Sequence, residues 1–259
     1  MSVEVKNLSF KYAERPILEN ISFKAEQGQI TSLLGANGAG KSTLFKCILG
    51  LFKHYKGDII IEDKKLKNLN QHELSRMIAY VPQSSYPSFN YSVFEMVLMG
   101  TSSSSLAWQS PGLTQKKVVE EALKDLGIYY LKDREYQNLS GGERQLVLIA
   151  RAIAQNTKVL ILDEITANLD YGNQLEVLEK VKNLAIKGLT VILSTHNPEQ
   201  AFMFSDRIVA LQDKKILANG DPKIIMDSAL IKKMYKVDVE MVSLYKDKIR
   251  FMAPTFMIN

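Results

Sequence analysis

A glycine-rich segment near the N-terminus has the residue types and spacing of a phosphate-binding loop. The segment GANGAGKST satisfies the pattern Gly-x4-Gly-Lys-Ser/Thr. Glycines let backbone N–H groups curl around a phosphate, and the helix that follows directs its positive end at the same anion. We expect Lys41 to reach the β- and γ-phosphates of a nucleotide and Ser42 to ligate Mg²⁺. The predicted nucleotide-binding residues of this loop are Gly35, Ala36, Asn37, Gly38, Ala39, Gly40, Lys41, Ser42 and Thr43.

Two carboxylates lie at the end of a short apolar run, KVLILDE. The run is typical of a strand inside a sheet, so Asp163 and Glu164 fall at its carboxyl end, where open α/β sheets bind ligands. Asp163 can hold Mg²⁺ through water, because Mg²⁺ dehydrates reluctantly. Glu164 can take a proton from an attacking water. In isolation the pair would more simply be surface charges, but together with a phosphate loop it indicates nucleotide hydrolysis.

These groups need a sheet to position them, and the sequence predicts one. ITSLL precedes the phosphate loop, and KVLILDE and LTVILSTH are short β-branched runs that are each followed by a helical segment. This alternation predicts an α/β core with a parallel sheet. At the N-terminus, VEVKNLSFKY and ILENISFKAE alternate apolar and polar residues with period two, which predicts a separate antiparallel β layer.

Two further segments interrupt or extend this core. Residues 84–109 are loop-rich and the following pattern KKVVEEALKDLGI is helical, which predicts a helical subdomain over about residues 84–155. The segments RIVALQDKKILANG and VEMVSLYKDKIRFMAP each have the pattern of a hairpin. We therefore divide the chain into a catalytic domain of residues 1–235 and a C-terminal β-hairpin extension of residues 236–259.

The composition restricts the class of protein. The 259 residues have a net charge of +5, are 46% hydrophobic and 24% charged, which excludes a disordered chain, a collagen-like chain and a disulfide scaffold. The mild positive charge suits a nucleic-acid binder, a protein beneath an anionic membrane or a nucleotide-binding protein. The single cysteine, Cys47, favours a reducing compartment. We find no signal peptide and no apolar run of 18 residues, so we expect any membrane-spanning helices to belong to another chain.

The segment NLSGGERQLVLIARA, at residues 138–152, resembles the Leu-Ser-Gly-Gly-Glu/Gln signature of ATP-binding-cassette (ABC) ATPases. Three further segments are similar to motifs of that family and occur in the same order. YVPQ is similar to the Q-loop, DEITANLD to the acidic strand with its D-loop, and LSTH to the segment of the switch histidine. The resemblance covers nearly the whole chain. It implies an α/β fold with the parallel core of a P-loop NTPase (RecA-like), and it makes residues 1–235 an ABC ATPase domain.

The resemblance also implies roles for individual residues. Tyr12 would stack on adenine, Gln83 would sense Mg²⁺ and water and act as a hinge to the helical subdomain, and His196 would hydrogen-bond the γ-phosphate. Each also has a purely structural interpretation: Tyr12 as a strand aromatic facing the core, Gln83 as a loop amide and His196 as a structural histidine. The implied catalytic residues are Glu164, His196 and Gln83, the Mg²⁺ ligands are Ser42, Gln83 and Asp163, and the D-loop residue is Asp170.

The signature is a second anion site, because Ser140, Gly141 and Gly142 place a hydroxyl and bare amides at the start of a helix. In the family, ATP is sandwiched between the phosphate loop of one subunit and the signature of the other. The same residues also predict a helix N-cap in which Ser140 and Glu143 form a capping box, and this is compatible with phosphate binding. The residues that would act on the nucleotide of the partner subunit are Leu139, Ser140, Gly141, Gly142 and Glu143.

Four segments are similar to those of subunits that energise importers of iron chelates, haem, cobalamin and related metal compounds. They are YSVFEMVLMG, GGERQLVLIARAIAQ, LDYGNQ and YKVDVEMV. This implies a homodimeric, peripheral subunit that hydrolyses ATP with Mg²⁺ at the cytoplasmic face of the cell membrane. Its partners would be transmembrane permease subunits and, indirectly, an extracytoplasmic substrate-binding protein. The Met-rich stretch 93–99 suits either a groove for a permease helix or the subdomain core. Residues 102–108 suit either a contact loop or a disordered tip.

The main alternative is an ABC-type ATPase that acts on nucleic acid or the ribosome. Such relatives carry two cassettes or long coiled coils, whereas this chain has one phosphate loop and no heptad run, so we expect no nucleic-acid partner. A kinase would not need the signature, and a non-hydrolysing regulator would not need both Glu164 and His196. Ile165 stands where the family usually has a turn-shaping Pro, so we expect catalysis to be retained on a less rigid loop.

Overall fold

The computed structural model describes residues 2–83, 89–104 and 112–257. In chain order its strands and helices are β1 (Val3–Tyr12), β2 (Arg15–Ala25), β3 (Ile30–Leu34), α1 (Lys41–Ile48), β4 (Lys56–Ile61), β5 (Lys64–Lys65), α2 (Gln71–Ser75), β6 (Ile78–Val81), α3 (Val93–Leu98), α4 (Leu113–Asp125), α5 (Gly141–Ile153), β7 (Val159–Asp163), α6 (Tyr171–Ile186), β8 (Thr190–Thr195), α7 (Pro198–Phe204), β9 (Arg207–Gln212), β10 (Lys215–Gly220), α8 (Pro222–Ile225), α9 (Ser228–Tyr235), β11 (Val239–Leu244) and β12 (Ile249–Pro254). No helix in these three ranges is long and apolar enough to cross a bilayer.

Six of the described strands form the central sheet, in the order β10-β9-β3-β8-β7-β6. Five of them run parallel, and β10 is antiparallel to β9. Along β7, Leu160 and Leu162 pack in the core that contains α3, α5 and α6, whereas Val159 and Ile161 pack in the core that contains α1. Burial on both faces explains the continuous apolar runs of these strands. The predicted α/β architecture with a parallel sheet is therefore confirmed.

The N-terminal strands form a second, antiparallel sheet in the order β2-β1-β4-β5. Val3, Leu8 and Ile21 of this sheet share a buried core with Leu44 and Phe45 of α1. The period-two alternation of the sequence produces this arrangement, because alternate side chains of a strand point to the same face. The layer therefore covers the helix that starts at the predicted phosphate loop.

The region predicted to be a helical subdomain contains α3, α4 and α5 among its described elements. Val93, Met96 and Val97 of α3 are buried against the other two helices, which supports the core interpretation of residues 93–99. The prediction of a loop-rich stretch over 84–109 was wrong for α3 and for the 3-10 turn that follows it. The two alternatives for residues 102–108 concern side chains outside the described part of the chain.

A capping box explains why a helix as short as α3 forms in this stretch. The Ser92 backbone N–H donates to Glu95 Oε2 (2.8 Å), and the Glu95 N–H donates to Ser92 Oγ (3.2 Å). This exchange satisfies two N–H groups that the first turn of a helix leaves without partners. The six residues are too few to show a clear helical period, so the pattern alone did not reveal the helix.

The C-terminal strands β11 and β12 pair as an antiparallel hairpin, as their alternation predicted. The hairpin lies against α7 and α9. Val239 of β11 is buried in the same cluster as Phe202 of α7, Ile231 of α9 and Leu34 at the end of β3. The C-terminal segment is thereby packed onto the strand that leads into the phosphate loop.

Candidate functional site

The phosphate loop connects β3 to α1, and residues 36–38 are exposed at its tip. Gly40 has φ of 100°, and a Cβ atom there would lie 2.9 Å from the side chain of Leu18. Only glycine fits this position, because an L side chain would meet both backbone strain and a steric clash. The loop is joined to the end of β8, since the Gly35 N–H donates to the Thr195 carbonyl (3.2 Å). Ser42 is exposed in the first turn of α1, and Thr43 beside it is half-buried.

Lys41 is a buried cation that folds back over this loop, with 4% of its surface exposed. Its ammonium donates to the carbonyls of Gly35 (2.7 Å) and Ala36 (3.2 Å), and it lies 3.1 Å from Glu164 Oε1. A buried lysine charge requires such partners, because desolvation would otherwise favour its neutral form. The contact with Glu164 joins the phosphate loop to the acidic strand.

Asp163, the last residue of β7, is buried and held by hydroxyl groups of two neighbouring strands. Ser194 Oγ donates to Asp163 Oδ1 (2.6 Å), and the Tyr80 hydroxyl donates to Asp163 Oδ2 (3.4 Å). Burial first, and the negative charge of Asp163 second, raise the pKa of Tyr80 to about 12, so that its hydroxyl remains a donor near neutral pH. The carboxylate orientation is thereby fixed by β6 and β8.

Glu164 has φ of 48°, in the left-handed region that non-glycine residues seldom occupy. Its N–H donates to Ser194 Oγ (2.9 Å), and the turn that follows is closed by the Ala167 N–H on the Glu164 carbonyl (3.1 Å). Ile165, which follows it in the position usually held by Pro, is buried in the core. Strained backbones of this kind cluster at functional sites, where the surrounding structure holds them in place.

The side chain of Glu164 is the point at which four separate segments meet. Gln83 Nε2 donates to Glu164 Oε2 (3.2 Å), and Nδ1 of His196 lies 3.7 Å from the same oxygen. Lys41 contacts the other carboxylate oxygen (3.1 Å). The structure therefore brings together Lys41, Gln83, Glu164 and His196, which are separated by up to 155 residues in the sequence.

Tyr12 ends β1 and is 45% exposed, which contradicts the interpretation of this residue as a core aromatic. Its ring meets Phe10 and Phe52 edge-on, at centroid distances of 5.0 and 5.4 Å. Aromatic pairs prefer this edge-to-face geometry. The ring of Tyr12 is thus held by two neighbours and remains accessible for stacking.

The signature lies at the N-terminus of α5, and its capping box forms as predicted. Ser140 N–H donates to Glu143 Oε2 (2.8 Å), and the Glu143 N–H donates to Ser140 Oγ (3.2 Å). Ser140 and Gly141 are exposed, whereas Leu139 and Gly142 are buried. Among the described residues, none of the five signature residues has a hydrogen bond or ion pair with Lys41 or Glu164.

Asp170 caps α6 beside the signature. Its carboxylate accepts from the Asn173 N–H (2.9 Å) and from the Asn173 side-chain amide (2.7 Å). A Cβ atom at Gly142 would overlap the Asn173 carboxamide, so a larger residue there would displace that side chain. Asp170 therefore fixes the side chain that packs against the signature glycine.

The sequence analysis missed Ser194 and Tyr80, the two residues that orient Asp163. Ser194 is fully buried in β8, and its Cα is the register partner of Asp163 in the neighbouring strand. A hydroxyl within the apolar run LTVILSTH was a usable signal, because buried polar side chains need a partner. Identifying that partner required the strand order of the sheet.

Comparisons with known proteins show the family of this chain. A family model described as ABC transporter matches residues 18–167. An ABC transporter ATP-binding protein of Haemophilus influenzae is 44% identical, with 93% of this chain and 92% of that protein covered. A probable iron chelatin transport ATP-binding protein of Helicobacter pylori strain 26695 is 38% identical, over 93% of this chain and 96% of that protein.

The same fold is present in solved structures. A metal-chelate type ABC transporter in an inward-facing conformation contains a chain that is 32% identical, with a TM-score of 0.87. The match covers 98% of this chain and 96% of that chain. It confirms the P-loop NTPase core that the family resemblance implied. The chain therefore belongs to the ABC transporter family and is one of its ATP-binding proteins, which hydrolyse ATP.

Proposed function

We propose that this chain is the subunit that hydrolyses ATP to power import of an iron chelate, haem, cobalamin or a related metal compound. The observation that carries the proposal is the convergence of Lys41, Gln83 and His196 on the carboxylate of Glu164. The probable iron chelatin transport protein and the metal-chelate type transporter support the class of cargo. The relatives reported above are transport proteins, and nothing favours the nucleic-acid or ribosome alternative.

The phosphate loop suits the β- and γ-phosphates of ATP. The Gly40 position leaves no room for a side chain, α1 begins without a side-chain cap in the described structure, and Lys41 supplies a cation. The ammonium of Lys41 already has three partners, Gly35, Ala36 and Glu164. A phosphate must therefore replace at least one of them, since an ammonium has three donors.

We propose that the phosphate replaces Glu164 as a partner of Lys41. Glu164 would then lose its ion pair and become available to accept a proton from the attacking water as general base. Gln83 and His196 already lie beside its second oxygen, where they can orient the water and hydrogen-bond the γ-phosphate. Tyr12, exposed at the end of β1, would stack on adenine.

The residues present also fit Mg²⁺, which prefers oxygen ligands and retains several waters. The Ser42 hydroxyl, the Gln83 carboxamide and the Asp163 carboxylate would hold it, with Asp163 acting through water. Ser194 and Tyr80 fix the Asp163 carboxylate for this task. When bound, Mg²⁺ neutralises negative charge that develops on the phosphates.

We propose that two copies of the chain form the complete site. Ser140 and Gly141 are exposed at a helix N-terminus and have no bond to Lys41 or Glu164 in the described part of the same chain. They are therefore suited to the nucleotide of a second copy, where their hydroxyl and amides would meet the γ-phosphate. In this homodimer, ATP is held between the phosphate loop of one subunit and residues 139–143 of the other.

A groove of about 500 Å³ beside the Gln83 loop suits a helix of a transmembrane permease subunit. It is lined by Tyr80, Pro82, Met99, Leu148 and Arg151, and so it lies between the central sheet and the helical subdomain. We propose that this contact places the chain peripherally at the cytoplasmic face of the cell membrane. An extracytoplasmic substrate-binding protein would act only through the permease.

We also propose that the chain consists of an ATPase domain and a C-terminal extension. Residues 1–235 would form the ATPase domain, with the helical subdomain at about 84–155 inserted in it, and residues 236–259 would form the C-terminal extension. The hairpin of the extension packs on α7, whose first residue is two positions after His196.

Purification from native membranes in detergent tests the transport proposal. A protein with several membrane-spanning helices should copurify with this chain in stoichiometric amount, together with a metal compound or its binding protein. The control is an unrelated tagged cytosolic protein that is taken through the same detergent extraction and purification. Copurification of RNA or ribosomal proteins, without a membrane protein, would contradict the proposal.

A further inference from the structure

Tyr235, the last residue of α9, contacts the loop that carries His196. Its hydroxyl donates a hydrogen bond to the backbone carbonyl of His196 (3.0 Å). Burial raises the pKa of the Tyr235 phenol, so that its hydroxyl stays protonated and can donate at neutral pH. The bond spans 39 residues and ends on the residue whose side chain lies 3.7 Å from Glu164.

The residues on either side of His196 are also fixed. The Asn197 N–H donates to Thr195 Oγ1 (3.0 Å), and Asn197 Oδ1 accepts from the Gln200 N–H (3.1 Å) as the N-cap of α7. These bonds hold the neighbouring backbone but do not involve the carbonyl of His196. Among the described residues, Tyr235 is the side chain that binds this carbonyl.

The C-terminal hairpin holds α7 and α8 in place. The guanidinium of Arg250 lies 4.8 Å from the ring centroid of Phe202 and donates to the carbonyls of Lys223 and Met226. The Met252 N–H donates to Glu199 Oε1 (3.3 Å). Contacts of a cation with a ring and with carbonyl groups are directional, so they restrict movement of the two elements.

We propose that Tyr235 is a positioning residue for ATP hydrolysis, and that α9 with the hairpin braces the loop of the switch histidine. A hydrogen bond on the His196 carbonyl fixes the adjoining peptide plane, and with it the direction of the imidazole beside Glu164. The inference rests on the proposed role of His196 and adds to it a task for the C-terminal segment. In the part of the chain that the structure describes, Tyr235 has no hydrogen bond to the phosphate loop, so it acts through His196.

The Tyr235→Phe variant tests the inference, because it removes one oxygen and keeps the packed ring. We expect kcat for ATP hydrolysis to fall about fivefold, the rate equivalent of one ordinary hydrogen bond, with an unchanged KM for ATP. The matched control is Tyr245→Phe, a change in the exposed turn of the hairpin, and it should leave both constants unchanged. A wild-type kcat in Tyr235→Phe would overturn the inference.

The same substitution in a His196→Ala background shows whether Tyr235 acts through the histidine. We expect no further loss of kcat there, because no imidazole remains to be positioned. An equal fivefold loss in both backgrounds would overturn the inference, since it would indicate a general structural effect. A wild-type rate in His196→Ala alone would instead contradict the proposed role of His196. A slow His196→Ala together with a wild-type rate in Tyr235→Phe would overturn only the inference about Tyr235, so the two failures can be told apart.

Discussion

Replacing Ser194 with alanine should damage both the stability and the activity of the protein. The hydroxyl of Ser194 is fully buried, donates to Asp163 Oδ1 (2.6 Å) and accepts from the Glu164 N–H (2.9 Å). A hydrogen bond to a charged group contributes about 1.5–3 kcal/mol, and a buried N–H left without a partner costs about 1–3 kcal/mol. The expected loss in the free energy of unfolding is therefore about 4 kcal/mol, which lowers Tm by about 10 °C in a domain of this size.

The activity should fall as well, because Ser194 holds the strained backbone of Glu164. A residue at φ of 48° stores about 1–3 kcal/mol and relaxes when its surroundings permit. We expect kcat to fall about tenfold or more, which corresponds to about 1.4 kcal/mol in the barrier. Calorimetry and a phosphate-release assay measure the two effects.

Ser32→Ala is the matched control for this prediction. Ser32 is a fully buried serine in β3 of the same sheet, and its hydroxyl pairs with that of Ser205 (2.6 Å) rather than with Asp163 or Glu164. Its loss should cost about 1 kcal/mol of stability and leave kcat unchanged. If the two alanine variants had the same Tm and the same kcat, the argument that Ser194 organises Asp163 and Glu164 would be refuted.

Three further outcomes are expected. Lys41→Ala should abolish ATP binding in a fluorescent-nucleotide titration, because it removes the cation of the phosphate loop, and normal affinity would refute that role. Ser140→Arg should spare nucleotide binding by the monomer but prevent the dimer that ATP induces, and an undiminished dimer in size-exclusion chromatography would contradict the shared site. Hydrogen bonds from Arg250 and Ser243 lower the pKa of Asp247 to about 2, so its contribution to stability is complete above its unfolded pKa of 3.8 and is lost as pH falls through about 2. The gap in urea midpoint between wild type and Asp247→Asn should therefore shrink between about pH 4 and pH 2, and a constant gap would contradict this.

The features that depend on neighbouring residues in the chain could be predicted from the sequence. The phosphate loop, the acidic strand β7 and the capping box at Ser140 are each encoded within a few consecutive residues. Period-two alternation predicted the antiparallel layer and the C-terminal hairpin. In these segments one local pattern is compatible with one local structure, which is why the prediction succeeded.

The features that depend on distant residues could not be predicted in the same way. The approach of Lys41 and Glu164 to 3.1 Å, and the bond from Ser194 to Asp163, require the order of the strands in the sheet. The bond from Tyr235 to His196 requires the packing of α9 beside β3 and β9. The helix α3 was missed for another reason, because six residues do not establish a helical period.

The Glu164→Gln variant tests the central claim most directly, because it exchanges one non-hydrogen atom at the point where the phosphate loop, Gln83 and His196 meet. The amide keeps the shape of the side chain but cannot accept a proton from water as a base. We predict unchanged ATP binding, loss of phosphate release and accumulation of an ATP-bound dimer. Phosphate release at the wild-type rate would contradict the claim that Glu164 is the general base of this site.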